Sequence, residues 1–311
     1  MESEENFVLV EIVGADLFLY YYMDDHALSH QMSDRRARVI APEDARVQWR
    51  FASADPEIAW KLPGLGVLSL ASIHYWRQGI DFDYIDIGAN VGMTTIGQTI
   101  FFRRCGWGTR VHTFEPGPVF DLLERSVLIN GVSDAVTCIR AAVGERAGRA
   151  QFHVTPAQSP ASSLLRGAVD SRGIQRSQTI EVDVTSIDDF VPRSLRAAPG
   201  LLIKIDAEGF DFKVLDGMRR SMSERLISFQ MELYPALNDA YSNASDRVAD
   251  LADHYALVDV GSQPHALIVP GEIGSFVAEV RKRTPVPATD IFAVPKRLPN
   301  YADLVSRIIA G

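Results

Sequence analysis

The residues best suited to chemistry lie where one hydrophobic strand ends, in segment 203–209, which reads IKIDAEG. Alternate residues of a strand face opposite sides of the sheet, so Lys204 and Asp206 share a face. A lysine within a central strand is costly to bury unless an opposite charge pairs with it. Asp206 and Glu208 are candidates for a general base that removes the proton from an alcohol.

Two further carboxylates, Asp86 and Glu232, end the strands that are predicted to flank Lys204. We therefore expect a carboxylate–lysine–carboxylate arrangement that forms the floor of a pocket. A purely structural ion pair explains the same pattern equally well, so both interpretations stay open. The candidate catalytic residues are Lys204, Asp206, Glu208 and Glu232.

A glycine turn joins a strand to a helix at segment 86–92, DIGANVG. Open α/β sheets bind ligands at this type of junction. Gly88 allows a tight turn and Gly92 allows the helix to begin close to the strand, while the helix N-terminus offers N–H donors to an anion. Glycine turns of this kind also occur as plain structure, so a second signal is needed.

Glu115 is that second signal, because it follows the next predicted strand where a carboxylate accepts hydrogen bonds from ribose hydroxyls. A nicotinamide-binding domain would use the same device, but the Gly-x-Gly-x-x-Gly that its pyrophosphate needs is absent. Asp86 suits an ammonium group better than a pyrophosphate. S-adenosylmethionine has that ammonium group, a carboxylate and a ribose diol. The predicted cofactor-binding residues are Asp86, Gly88, Ala89, Asn90, Gly92, Glu115, Pro116, Ala141, Ala142 and Asp206, the two alanines leaving room for adenine.

The elements that position these residues alternate between strand and helix from residue 81 onward. This alternation predicts a doubly wound α/β fold with a mostly parallel sheet. The predicted strands are 82–87, 109–114, 135–143, 201–206 and 226–233, with 255–260 and 290–294 completing the sheet. The first two helices are predicted at 91–102 and 118–130. Strand four of such a sheet lies between strands one and five.

Two other segments carry less information. Residues 1–80 predict a strand at 7–13 and helices at 24–38 and 65–78, and we interpret them as a cap or dimerisation segment before a domain at 81–311. A homodimer is one assembly that this segment could form. Segment 155–178 is a long polar loop, typical of a lid, and its Ser162 and Ser163 could close over a substrate.

Composition narrows the function classes. The 311 residues include 40 acidic and 31 basic ones, for a net charge of −9, which disfavours extended contact with nucleic acid. The two cysteines form no disulfide framework, and the acidic start lacks the charge of a secretory signal. The early apolar stretch is too short to cross a bilayer. We expect a cytoplasmic protein with no membrane span and no metal site.

With these residues in view, the chain resembles the FkbM family of methyltransferases, most clearly between residues 84 and 234. The resemblance rests on segments 85–92, 114–116, 142–144, 162–164, 184–189, 203–211 and 214–217, with Asn130 and Glu232. Ala207 stands where the family more often has valine, and Phe210 where a small residue is common.

The resemblance implies a class I, Rossmann-like fold and S-adenosylmethionine as methyl donor. It implies an oxygen acceptor on a sugar, polyketide or related metabolite, as a small molecule or glycan. It assigns cofactor binding to Asp86, Gly88, Asn90, Gly92 and Glu115. It also places Lys204, Asp206 and Glu208 in the active-site region without deciding which carboxylate is the base. The expected function is O-methylation. The alternatives are an NAD(P)-dependent oxidoreductase and a non-catalytic scaffold that kept the fold.

Overall fold

A computed structural model describes residues 7–12, 17–22, 37–40, 66–155, 162–166, 178–194, 198–284 and 286–310. The strands of this part of the chain are β1 (Phe7–Ile12), β2 (Leu17–Tyr22), β3 (Ala37–Ile40), β4 (Phe82–Ile87), β5 (Val111–Phe114), β6 (Val136–Ile139), β7 (Ala142–Val143), β8 (Gly148–Val154), β9 (Gln178–Thr185), β10 (Gly200–Ile205), β11 (Leu226–Leu233), β12 (Tyr255–Asp259), β13 (Ala266–Leu267) and β14 (Thr289–Pro295).

The α-helices of the same part are α1 (Gly66–Arg77), α2 (Met93–Arg104), α3 (Phe120–Ile129), α4 (Ile187–Ser194), α5 (Asp211–Asp216), α6 (Arg219–Glu224), α7 (Pro235–Asn238), α8 (Ala244–His254), α9 (Ile273–Val280) and α10 (Tyr301–Ala310). A short 3-10 helix, Pro270–Glu272, precedes α9. None of the described helices is both long enough and apolar enough to span a membrane.

An eight-stranded sheet organises the molecule in the order β13-β12-β14-β11-β10-β4-β5-β6. Strands β11, β10, β4, β5 and β6 are parallel, and β14, β12 and β13 continue the sheet in antiparallel pairing. As predicted, β10 lies between β4 and β11. Every residue of β4 is buried, as expected for a parallel strand covered on both faces.

Helices cover both faces of this sheet. On one face, Tyr84 and Leu202 belong to a core with apolar residues of α1, α2, α3 and α10. On the other, Ile85 and Ile203 belong to a core with residues of α5, α8 and α9. The predicted doubly wound α/β fold with a mostly parallel sheet is therefore confirmed.

The third predicted strand, 135–143, is divided in two. The backbone N–H of Ala141 donates to the Ile139 carbonyl at 3.0 Å, which turns the chain out of the main sheet. The chain then pairs again as β7, in a three-stranded sheet of order β7-β9-β8. Because of this break, residues 141–143 leave the main sheet at its carboxyl edge, where β4 and β5 also end.

The N-terminal strands form an antiparallel sheet in the order β2-β1-β3. The outer edge of β2 is held by α3: the Phe18 N–H donates to Asn130 Oδ1 at 3.0 Å, and the Tyr20 N–H donates to Ser126 Oγ at 2.9 Å. Of the predicted helix at 24–38, residues 37–38 lie in β3, and the rest falls outside the described residues. The division at residue 80 stays a prediction.

Candidate functional site

A pocket opens at the carboxyl edge of β4, β5 and β10, the edge at which open α/β sheets bind ligands. Seven of the predicted cofactor-binding residues line it, namely Gly88, Asn90, Glu115, Pro116, Ala141, Ala142 and Asp206. The predicted catalytic residue Glu208 also lines it. Asp86, Ala89 and Gly92 are buried beside this lining. Most of the residues that were predicted to bind the cofactor therefore line one cavity.

The glycine turn is shaped by close contacts between strand ends. Gly88 has φ +77°, and a Cβ at this position would lie 1.9 Å from the Asp206 carbonyl oxygen. Gly92 has φ +92°, and a Cβ there would lie 2.6 Å from Leu123 Cδ1. The glycine at position 88 thus lets the β4 end meet the β10 end, which brings the Asp206 backbone to the pocket floor.

Gly88→Ala is expected to lower the free energy of unfolding by about 1–3 kcal/mol, because the new methyl group has to push the Asp206 backbone away. Chemical denaturation measures this. Gly106→Ala is the matched control, since Gly106 also has a positive φ, +70°, and nothing lies within 4 Å of a Cβ there. Equal stability of the two variants would show that the β4 and β10 ends do not meet as closely as described.

Glu115 is buried with its carboxylate turned toward the backbone of two loops. Its Oε2 accepts from the Asn90 N–H at 3.0 Å, and its Oε1 accepts from the Gly117 N–H at 2.8 Å. Burial raises the pKa of Glu115 to about 7. A carboxylate oxygen can accept a second hydrogen bond, so this group can still receive hydroxyl donors from a ligand in the pocket.

Lys204 pairs with two carboxylates at the pocket floor. Its Nζ lies 2.9 Å from Asp206 Oδ2 and 3.8 Å from Asp86 Oδ1. Burial lowers the pKa of Lys204, but the carboxylates of Asp206 and Asp86 outweigh that effect and raise it overall. The ammonium group therefore stays charged and serves as a counter-ion rather than as a base.

Asp86 is fully buried, and its Oδ2 accepts from Thr95 Oγ1 at 2.6 Å. Burial raises the pKa of Asp86, while Lys204 and the Thr95 hydroxyl lower it. Lys204 thus lies between two carboxylates, those of Asp86 and Asp206. The place of Glu232 in the predicted carboxylate–lysine–carboxylate arrangement stays a prediction.

Glu232 lies on β11 in register with Asp290 of β14. Burial and the nearby Asp206 raise the pKa of Asp290, so the acidic groups continue from β10 across these two strands. Glu232 is not among the residues lining the described pocket. Its catalytic role stays a prediction.

Six of the residues that line the pocket were not predicted as site residues, although all but Phe152 lie in segments that carry the family resemblance. They are Ile87, Phe114, Val143, Phe152, Leu164 and Ala207. Phe152 comes from β8 and approaches Gly117 so closely that a Cβ added to this glycine would lie 3.2 Å from the ring. Strand β8 belongs to the small sheet created by the chain break at residues 139–142, which local periodicity does not reveal.

Part of the predicted lid is also at the pocket. Ser162 lines it, and Ser163 pairs with His153 of β8 through backbone bonds of 2.9 and 3.1 Å. Residues 156–161 and 167–177 of that loop lie outside the described residues, so closure over a substrate stays a prediction.

Comparison with known proteins adds a family match. A family model described as "Methyltransferase FkbM domain" matches residues 86–251. This stretch includes the ends of β4 and β10 and the acidic loop, residues 206–209. No curated protein matches the chain.

Solved structures to which this chain is similar include three methyltransferases. FkbM methyltransferase from Methylobacillus flagellatus KT is 18% identical, with a TM-score of 0.40, and the match covers 77% of this chain and 50% of that one. An rRNA methylase from Streptococcus thermophilus is 10% identical, covering 72% and 94%, with a TM-score of 0.37. Precorrin-6y C5,15-methyltransferase from Geobacter metallireducens GS-15 is 12% identical, covering 72% and 87%, with a TM-score of 0.33.

Proposed function

The chain belongs to the FkbM methyltransferase family, and on that premise we propose that it transfers a methyl group from S-adenosylmethionine to a hydroxyl oxygen of a small molecule or glycan. The acceptor class is a sugar, polyketide or related metabolite. One observation supports the proposal above all: the ribose-type carboxylate Glu115 and the acidic loop residues Asp206 and Glu208 face the same pocket.

The residues of the pocket fit this donor. Each oxygen of Glu115 has capacity for a further hydrogen bond beyond its backbone partner, which suits a vicinal diol. Ala141, Ala142 and Phe152 give an apolar wall suited to a flat ring. Asp206 offers a carboxylate to an ammonium group. When bound, the donor supplies an electrophilic methyl group on a sulfonium.

The chain's own residues then act on the acceptor. Lys204 holds Asp206 Oδ2 at 2.9 Å, which leaves the other carboxylate oxygen to accept the hydroxyl proton. The Asp206 side chain is 39% exposed, so an acceptor can reach it. Glu208, two residues further along the same pocket wall, is the second candidate base. A positioned base of this type contributes about 10²–10⁴-fold to a rate.

The direct experiment incubates the protein with methyl-labelled S-adenosylmethionine and a panel of hydroxylated sugars, glycans and polyketides. The expected result is acceptor-dependent formation of S-adenosylhomocysteine and a labelled O-methyl product. Titration with NADH tests the oxidoreductase alternative, and a folded protein that binds neither ligand would be the scaffold. Transfer of the label to nitrogen or carbon alone would contradict the oxygen acceptor.

The affinity for S-adenosylhomocysteine is expected to rise with pH between 6 and 8. The pKa of Glu115 is raised to about 7, and only the ionised carboxylate accepts from both backbone N–H groups and the ribose hydroxyls. One pH unit below that pKa, about a tenth of the groups are ionised, so the dissociation constant should increase about tenfold. Calorimetry at pH 6, 7 and 8 measures it.

Glu115→Gln is the control for this pH dependence, because its amide does not titrate. This variant should bind weakly at all three pH values, with no trend. A pH-independent affinity of the unsubstituted protein, together with normal binding by Glu115→Gln, would remove Glu115 from the ribose site.

Two further parts of the proposal concern the setting of the reaction. We place the reaction in the cytoplasm, a location supported by the free thiols of Cys105 and Cys138. The N-terminal sheet is proposed as a cap or dimerisation element, which sedimentation of the full chain would test.

A further inference from the structure

The loop that carries the candidate bases has a strained backbone. Residues 206–209 leave β10 and enter α5, and Glu208 has φ +51°, a left-handed conformation unusual for a residue other than glycine. Such a conformation is strained and persists only when the surroundings hold it. The neighbouring Gly209 has φ +90°.

Asp211 fixes this loop from one side through hydrogen bonds. Its side chain is fully buried, with Oδ1 accepting from the Ala207 N–H and Oδ2 from the Gly209 N–H, both at 3.1 Å. The two N–H groups belong to the residues on either side of Glu208. The carboxylate of Asp211 thus fixes the backbone on both sides of the left-handed residue Glu208.

Other segments hold the opposite side of the loop. The Gly209 carbonyl accepts from Tyr241 Oη at 2.7 Å and from Asn238 Nδ2 at 3.2 Å. The Glu208 carbonyl accepts from Ser163 Oγ at 2.9 Å. These partners come from two segments distant in sequence, residue 163 and residues 238–241, so tertiary structure fixes the loop.

Ordinary helix capping does not explain Asp211. It is the first residue of α5, and a capping side chain accepts from N–H groups further into its own helix. Asp211 instead reaches back two and four residues, to N–H groups that precede the helix. It does not line the pocket, so it acts through the loop and not on a ligand.

We infer that Asp211 is a positioning residue for methyl transfer, which fixes the Asp206–Gly209 backbone so that the loop carboxylates meet the acceptor. The inference rests on the proposed function and adds to it a residue outside the pocket.

The test is Asp211→Asn, which keeps size and shape but turns one of the two acceptors into a donor facing an N–H. Displacing a reacting group by about 1 Å costs about 10²-fold, so kcat at saturating substrates should fall about 10- to 100-fold. The affinity for S-adenosylhomocysteine should fall less than kcat does, because the ribose carboxylate Glu115 is untouched. In the ligand-free protein, the amides of Ala207 and Gly209 should exchange hydrogen faster.

Asp188→Asn is the matched control, because Asp188 also uses both oxygens on backbone N–H groups, those of Arg220 and Ser221 at 2.9 and 2.7 Å. It lies away from the pocket lining, so this variant should lose stability but keep its kcat. Should Asp211→Asn fail to fold, Tyr241→Phe removes one donor to the Gly209 carbonyl. This variant should lower kcat several-fold, with a smaller loss of affinity for S-adenosylhomocysteine.

The inference is overturned if Asp211→Asn, or Tyr241→Phe in its place, keeps the kcat of the unsubstituted protein. It is also overturned if affinity for S-adenosylhomocysteine falls as much as kcat, since the loop would then serve donor binding. Failure of the unsubstituted protein itself to bind S-adenosylhomocysteine or methylate any acceptor would instead reject the proposed function.

Discussion

Asp206→Ala is expected to lower the turnover number of methyl transfer by about 10²–10⁴-fold while the protein stays folded. The variant removes the exposed carboxylate at the pocket, and Lys204 keeps its ion pair with Asp86, so no buried charge is left alone. Turnover is measured with the acceptor that reacts fastest in the panel, and circular dichroism follows the fold.

Affinity for S-adenosylhomocysteine in the same variant separates two roles of Asp206. A base contributes to turnover alone, whereas a ligand of the donor's ammonium group contributes also to binding. Asp183→Ala is the control, since that aspartate is 75% exposed on β9. Normal turnover in Asp206→Ala would exclude Asp206 from the mechanism and leave Glu208 as the candidate base.

Lys204→Met is expected to lower the free energy of unfolding by about 3–5 kcal/mol, because it leaves the buried Asp86 without its counter-ion. The pair with Asp206 adds little, since that carboxylate is 39% exposed and water screens it. The expected loss therefore comes from Asp86, which is fully buried. Denaturation in urea gives the value.

Lys213→Met is the matched control for this substitution. Lys213 Nζ also lies 2.9 Å from a carboxylate oxygen, that of Glu145, but the side chains are 29% and 53% exposed. Exposed pairs of this kind contribute at most about 1 kcal/mol. If both lysine variants lost the same small amount, the Lys204–Asp86 pair would be no more than a surface ion pair.

The central sheet could be predicted from the sequence because short-range patterns of apolar and polar residues determine its strands and helices. Strand β4 (FDYIDI) alternates apolar residues with two aspartates and ends at a glycine turn, while β10 (GLLIKI) is mostly apolar and ends at an acidic residue. Helices separate these strands along the chain. Parallel strands of this type place their carboxyl ends at one edge. The positions of Glu115 and Asp206 at the same pocket follow from that rule alone.

The remainder depends on contacts that no periodic pattern encodes, some within a few residues and some between distant segments. The chain break at Ala141, the placement of Phe152 beside Gly117 and the bonds from Asp211 to the acidic loop all join residues whose proximity no periodic pattern encodes.

Calorimetric titration of the full chain with S-adenosylhomocysteine at pH 8 tests the central claim most directly, with NADH titrated in parallel. A saturable one-to-one heat with S-adenosylhomocysteine, no heat with NADH, and strong weakening in Glu115→Gln are the predicted results. No binding of S-adenosylhomocysteine by a protein that unfolds cooperatively would contradict the account.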